Sequence, residues 1–327
     1  MEKEEWDNRT SLKEFLLLGM GNVPSLQTPL FLLSLIIYLV TMVGNILIVV
    51  VVVADQHLHT PMYFFLGNLS SLETCYSSTI LPELLASFLT GDGTISAYGC
   101  MAQFYFFGLF VTTVTLLTMM AYDRYLAICQ PLLYASLMSW KVCLQMAAGS
   151  WLGGLLISVL ITSFISHQRF CGPKAIDHFC DFTALMELSC SDTTALIPVA
   201  LITSFLDLVF PFLFTLASYV CIIAAILRIP SSVGRQKAFS TCSSHLTVVN
   251  VFYGTLIIVY MLPRTPQLRQ LNKVFSFSYT VLTPLVNPLI YSLRNREVRE
   301  ALRKALRKCI LETVTETLAL GSLVDGP

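Results

Sequence analysis

Polar and apolar residues are sorted into long blocks along this chain. Positions 30–54, 97–122, 142–166, 238–262 and 274–293 hold no Asp, Glu, Lys or Arg. Positions 61–89 hold only Glu73 and Glu83, and 195–227 only Asp207. Crossing a bilayer core of about 30 Å takes a helix of about 20 apolar residues, and each block is long enough. Backbone in lipid must satisfy its own N–H and C=O groups, so the blocks read as helices. Membrane barrel strands are about ten residues long and alternate in polarity, unlike these. The pattern predicts an all-α membrane protein. Its seven helices fall near 28–54, 61–89, 97–128, 141–166, 195–228, 238–262 and 271–293. A tail of 1–27 precedes this bundle.

Composition agrees. Hydrophobic residues make up 55% and charged residues 12%, against about 25% charge in a soluble domain. The formal net charge of +0 points to no nucleic-acid partner, and none is expected; the bundle's solvent is membrane lipid. The apolar stretch 15–18 is too short for a signal-peptide core, so the first helix is expected to act as its own insertion signal.

Lys and Arg favour the cytoplasmic side. Arg294, Arg296, Arg299, Arg303, Lys304, Arg307 and Lys308 follow the seventh block, and Arg228, Arg235 and Lys237 lie between the fifth and sixth. With Arg124 and Lys141 they make twelve of the 20 basic residues on one side. The expected topology is N-terminus outside and C-terminus inside. Asn8-Arg9-Thr10 is then an outward-facing glycosylation sequon. Of ten cysteines, Cys100, Cys171, Cys180 and Cys190 fall outside, where disulfides persist. Four cysteines allow three pairings.

Several polar groups interrupt the apolar pattern. Asp123-Arg124-Tyr125 closes the third span at the inner surface. An arginine there can face a cavity opened by helix movement, and the adjacent aspartate can hold it when the cavity closes. The plainer reading is a membrane-end charge that snorkels. Asn287-Pro288-Leu289-Ile290-Tyr291 lies near the inner end of the seventh span. Its proline removes a backbone donor and weakens the helix, which lets Tyr291 swing with the helix end. Asn45 and Glu73 sit at mid-depth. An intramembrane carboxylate is a functional candidate, and Glu73, Asn45 and Asn287 can form one hydrated network able to hold a sodium ion. No cofactor is expected.

The motif set resembles one family. Leu58-His59-Thr60-Pro61-Met62-Tyr63-Phe64-Phe65-Leu66 opens the second span, and Met119-Met120-Ala121-Tyr122-Asp123-Arg124-Tyr125 closes the third. Ser218-Tyr219 lies towards the end of the fifth, and Lys237-Ala238-Phe239-Ser240-Thr241-Cys242-Ser243-Ser244-His245 opens the sixth. Pro284-Leu285-Val286-Asn287-Pro288 completes the set in the seventh. In this order, over about 15–308, they resemble the vertebrate odorant receptors, a branch of the rhodopsin-like (class A) G-protein-coupled receptors.

The resemblance implies a rhodopsin-like seven-helix bundle, with disulfides Cys100–Cys180 and Cys171–Cys190. It implies no enzymatic activity. The function expected is binding of a volatile odorant and activation of a stimulatory, olfactory-type heterotrimeric G protein, which raises cyclic AMP in olfactory cilia. The coupling machinery would be Asp123, Arg124, Tyr125, Tyr219, His245, Asn287, Pro288 and Tyr291. Matched to the family, the pocket lies in the outer half of the bundle. The third span offers Phe106, Phe107, Phe110, Val111 and Val114, and the fifth Thr203, Ser204 and Asp207. The sixth offers Tyr253, Leu256, Ile257 and Tyr260, and the seventh Phe277 and Thr280.

Three departures from the family stand out. Positions 110–117 lack the acidic residue usual midway along the third span. The interval from Cys100 to Arg124 is one residue shorter than is usual in the family, which leaves two readings open: a helix irregularity that takes it up, or an impaired receptor. Leu133 replaces a usual histidine. Beyond the bundle, 294–310 has the apolar spacing of an interfacial helix, with Cys309 available for palmitoylation. The tail 311–327 is expected to be disordered.

The rival readings are weaker. A transporter would show internal repeats with paired broken helices, and none is visible. A membrane metalloenzyme would need a motif such as His-Glu-x-x-His, also absent. A retinal-linked receptor needs a lysine in 274–293, which has none. A class A receptor for a non-olfactory small molecule fits the same residues.

Overall fold

A computed structural model describes residues 14–17, 24–91, 93–170, 175–176, 179–191, 194, 196–261, 281 and 283–307. Asn8, Cys171, Phe277, Thr280 and the 308–327 tail with Cys309 lie outside the described residues. So do the side chains of Phe110, Val111, Ile257 and Tyr260.

Helix α1 (Pro24–Ala54) shows how the apolar blocks fold. Ser34, Ile37, Thr41, Asn45, Ile48 and Val51 are buried, while Leu32, Ile36, Leu39, Val43, Ile46, Val50 and Val53 are exposed. Both sets recur every three or four residues, so they form opposite stripes of one helix. A soluble protein would charge the exposed stripe; here it is purely apolar and the polar residues face inward. That inversion suits a lipid solvent. Four helices among the described residues are long and apolar enough to cross a membrane: Gln27–Ala54, Ala97–Cys129, Trp140–Ser166 and Pro198–Leu227.

Helix α2 (Pro61–Thr90) begins with proline in its first turn and stops at Gly91, whose φ of 70° suits a residue without Cβ. The third span is two helices, α3 (Ala97–Gly108) and α4 (Phe110–Cys129). A short helix α5 (Pro131–Leu137), at the end of the bundle expected from the sequence to be inner, leads to α6 (Trp140–Ser166), and α7 (Phe182–Leu188) lies in the loop at the end expected to be outer. The fifth span is α8 (Leu196–Ser204), a π-turn (Phe205–Val209) and α9 (Phe210–Leu227). Helix α10 (Ser232–Met261) is the sixth span, and α11 (Thr283–Arg294) the inner part of the seventh. Helix α12 follows over 296–307.

Helix α12 docks on the inner ends of α1 and α2. Val298 and Ala301 are buried in the main core with Leu58, Met62 and Tyr63. The Tyr63 hydroxyl donates to Glu297 Oε2 (2.7 Å) and accepts from Asn295 Nδ2 (2.9 Å). Lys304 donates to Asp55 Oδ2 at 3.4 Å. The backbone N–H of His57 holds the Asp55 carboxyl below its usual range, with Lys304 adding to the effect.

The apolar blocks did not announce a small sheet on the outer face. Strand β1 (Glu14–Leu17) lies between β2 (Thr94–Ser96), antiparallel, and β3 (Ala175–Ile176), parallel. Alternation puts Phe15 and Leu17 inward, against Ile95, Ile176 and the Cys100–Cys180 disulfide. Leu17 N–H donates to the Gly93 carbonyl at 2.7 Å, and a Cβ at Gly93 would run into the Leu17 carbonyl. The sheet straps the N-terminal segment to both outer loops. Phe15→Asp should sharply reduce the amount of this protein at the cell surface, because losing a buried Phe costs about 3–5 kcal/mol even without the added charge. Leu16→Asp, on the exposed face, should leave the surface level near wild type. Flow cytometry of an epitope-tagged chain reads both; equal levels would remove the strap.

Candidate functional site

The inner end of the bundle is built around Arg124. Asp123 is fully buried in the last turns of α4, and its carboxylate pairs with the Arg124 guanidinium at 2.9 Å. The second carboxylate oxygen accepts from the Tyr134 hydroxyl at 2.7 Å. Burial, and then the Asp123 charge, hold the Tyr134 proton on well above the usual tyrosine range. Tyr134 comes from α5, so the inner loop fixes the lock on Arg124. Across the gap, Tyr219 of α9 shares a hydrogen bond with His245 Nδ1 of α10. Arg124, Tyr134, His245, Tyr291, Tyr63 and Glu297 line one cavity of about 900 Å³. Arg124 Nε, His245 Nε2 and the Tyr291 hydroxyl are buried without hydrogen-bond partners. Tyr125 stacks on Tyr122, at 6.4 Å between ring centroids.

The mid-depth network follows from one proline. Pro288 has no N–H, so the carbonyl four residues earlier, on Pro284, loses its helical donor. Asn45 Nδ2 supplies it from α1 at 3.0 Å, and also donates to Thr41 O at 3.1 Å. Gly44 permits the approach: a Cβ there would sit 3.1 Å from the Pro288 ring. One turn away, Asn287 Nδ2 donates to Glu73 Oε1. Asn45 Oδ1, Glu73 Oε2 and Ser77 Oγ remain buried without partners. Asn45→Ala should strand the Pro284 carbonyl at a cost of about 1–3 kcal/mol. The expected readout is a lower Tm of the detergent-purified receptor, and an unchanged Tm would refute the bond.

The third span is interrupted at Leu109. Leu109 N–H bonds Phe106 O (3.2 Å), and Thr112 N–H bonds Leu109 O (2.9 Å). Both are three-residue closures, which wind the chain more tightly than an α-helix. Helix α6 packs against this turn through small residues. A Cβ on Gly108 would strike Ser158, and one on Gly154 would strike Thr112.

Of the expected pocket residues, Phe106 and Phe107 are partly buried on the main core, and Val114, Tyr253 and Leu256 are buried within it. Phe107 packs on Phe179 of the outer loop, ring centroids 5.3 Å apart. Tyr253 packs on Phe212 at 5.0 Å, and Thr215 donates to Thr118 at 3.3 Å close by. Thr203 spends its hydroxyl on Val199 O and Ala200 O of its own helix, and Ser204 is exposed. Asp207 is half-buried on the π-turn. Cys190 is disulfide-bonded, and its expected partner Cys171 lies outside the described residues.

Reading the sequence missed Tyr134, Phe179, Phe212, Thr118 and Thr215. Phe179 adjoins the bridge cysteine Cys180, a usable signal. The others look like ordinary apolar or small positions until helices are packed.

Helices with apolar exposed faces, a disulfide holding a loop to the third span and an arginine-centred cavity at the opposite end make a multi-span helical bundle of the membrane class. The family model described as olfactory receptor matches residues 33–309. Olfactory receptor 10A7 of Homo sapiens is 48% identical over 297 residues, 90% of this chain and 94% of that protein. Olfactory receptor 13C9 of Homo sapiens is 46% identical over 306 residues, 91% and 96% of the two chains. Olfactory receptor 1165 of Mus musculus is 46% identical over 294 residues, 89% and 93%. The chain belongs to the olfactory receptor family. It is accordingly a multi-pass plasma-membrane receptor and not an enzyme.

Proposed function

We propose that this receptor binds small, mostly apolar odorants in the outer half of the bundle and activates a stimulatory, olfactory-type G protein, raising cyclic AMP. The N-terminus faces outward with Asn8 glycosylated, and the protein works in olfactory cilia. The pocket comprises Phe106, Phe107, Phe110, Val111 and Val114, with Tyr253, Leu256, Ile257 and Tyr260 opposite. Thr203, Ser204, Asp207, Phe277 and Thr280 complete it, and Cys171 pairs with Cys190.

The observation that carries this reading is the Arg124–Asp123–Tyr134 lock beside an inner cavity. A ligand acts only through differential affinity for two bundle arrangements. In the active one, α10 moves outward at its inner end, Arg124 leaves Asp123, and Tyr219 and Tyr291 rearrange. The G-protein α-subunit then enters the cavity and releases GDP. The Asn287–Pro288 weak point lets the inner end of α11 follow. The orphaned oxygens of Glu73, Asn45 and Ser77 are hard donors of the kind a sodium ion takes. They would hold the ion in the inactive arrangement.

A cyclic AMP reporter and a chemically broad odorant panel test the proposal. At least one odorant should raise cyclic AMP, and Phe107→Ala should weaken its potency about tenfold or more, as losing a packed aromatic wall does. Responses carried by calcium alone, with cyclic AMP flat, would contradict the stimulatory coupling. Unchanged potency in Phe107→Ala for every active odorant would contradict the pocket.

A further inference from the structure

Asp207 is the only charged side chain in the 195–227 segment. The structure places it on the inward side of its helix. Leu201, Ile202, Phe205, Leu206, Val209, Phe210, Leu213 and Phe214 are exposed and mark a broad lipid-facing side, and within the turn only Asp207 and Leu208 are partly buried. The opposite stripe carries Pro211, Thr215, Ser218 and Tyr219, all buried, and Asp207 continues it outward. Leu208 and Phe212, flanking this line, pack on the bundle core. Asp207 therefore lies on the side of the turn that packs against the bundle, at its border with the exposed face; exposure to lipid would be costly for a carboxylate.

No hydrogen bond or ion pair reaches Asp207 among the described residues. Nor do the neighbouring spans supply a counter-charge: 97–122, 142–166, 238–262 and 274–293 contain no Lys or Arg. His245, the one histidine in those segments, is committed to Tyr219 at the inner end. The backbone around Asp207 is also special. Phe210 N–H bonds Phe205 O, five residues back, which makes the π-turn. Such turns re-aim side chains and cluster at functional sites. The turn packs on α4. Phe106, Phe107, Phe179, Phe212 and Tyr253 belong to the same apolar cluster. An acid with no hydrogen-bond or ionic partner among the described residues, on a turn that packs against the aromatic-bearing third span, is the combination that receives an organic cation.

We infer that Asp207 selects odorants that carry a protonated amine. The ammonium N–H groups donate to the carboxylate, and the alkyl body lies against Phe107, Phe212 and Tyr253. This specificity rests on the odorant reading of the same pocket.

The test is a matched panel: straight-chain primary amines, and the alcohols and methyl esters of equal chain length. It is run on the full-length wild type, Asp207→Asn and Asp207→Glu, with surface level measured alongside. At least one amine should activate the wild type. Its potency should fall about 100-fold or more in Asp207→Asn, as expected when one partner of a desolvated ion pair is removed. Asp207→Glu should recover most of it. Amines that are silent, or equally potent on Asp207→Asn, would overturn the inference whatever the neutral compounds do. Neutral odorants that activate while amines fail would leave the odorant reading standing. Silence of the neutral set as well would count against that reading too.

Discussion

Arg124→Ala is expected to abolish odorant-evoked cyclic AMP while the receptor still reaches the surface. Asp123 and Arg124 form a nearly buried pair, the Asp side chain 0% and the Arg 16% exposed. In the resting bundle that pair ties the Arg124 guanidinium, at the cavity wall, to its own helix. Removing the guanidinium leaves nothing to take up the entering α-subunit, so the loss should be complete and not a shift in potency. The vacated Asp123 still has the Tyr134 hydroxyl, which limits damage to the fold. Tyr134→Phe probes the other side of the lock. It removes one donor to Asp123, loosens the loop and should raise signalling without odorant. A normal response from Arg124→Ala, at normal surface level, would contradict the mechanism.

Cys100→Ser is expected to remove most receptor from the surface. The bridge spans 80 residues of sequence. Chain-entropy arithmetic for a loop of that size gives about 4.5 kcal/mol of stabilisation. The two sulfurs are fully buried in the outer cluster with Phe15, Phe104, Ile165 and Leu185. Without the bridge, the outer loop loses its tie to α3. Phe179 adjoins Cys180, and its contact with Phe107 goes with it. The sheet loses its floor. Cys75→Ala, at an exposed free thiol, should keep wild-type levels. Equal surface staining of Cys100→Ser and wild type would refute this account of the outer face.

Both predictions use residues that were legible in the sequence, for a physical reason. Lipid forces charge out of long helices, so each polar exception, such as Asp123, Glu73 or Asp207, stands out against an apolar background. The Cys100–Cys180 bridge was available through the family motifs. The sheet was not. Its strands have four, three and two residues, too short to show periodicity, and their partners are distant in sequence. The Asn45 bond to Pro284 was half visible: the proline announces a stranded carbonyl, but not which helix supplies the donor. The π-turn at Phe205–Val209 left no mark of its own, because Asp207 stands out as a charge but nothing in the residues around it signals a five-residue closure of the backbone. Tyr134 was hidden because a hydroxyl in a short inner loop has meaning only once Asp123 is packed against it. The short Cys100–Arg124 interval left open whether an irregularity or an impaired receptor follows, and only the packing of Gly108 on Ser158 and of Gly154 on Thr112 shows a turn at Leu109.

A distance between inner helix ends addresses transmission most directly. Spin labels at Leu137 of α5 and Phe239 of α10 sit on exposed positions, so labelling should spare the core. In purified receptor the label separation should lengthen by several ångströms, on the order of one helical turn, when an activating odorant and nucleotide-free G protein are added together. If G protein exchanges nucleotide while that separation stays fixed, outward movement of α10 is not how this receptor carries its message.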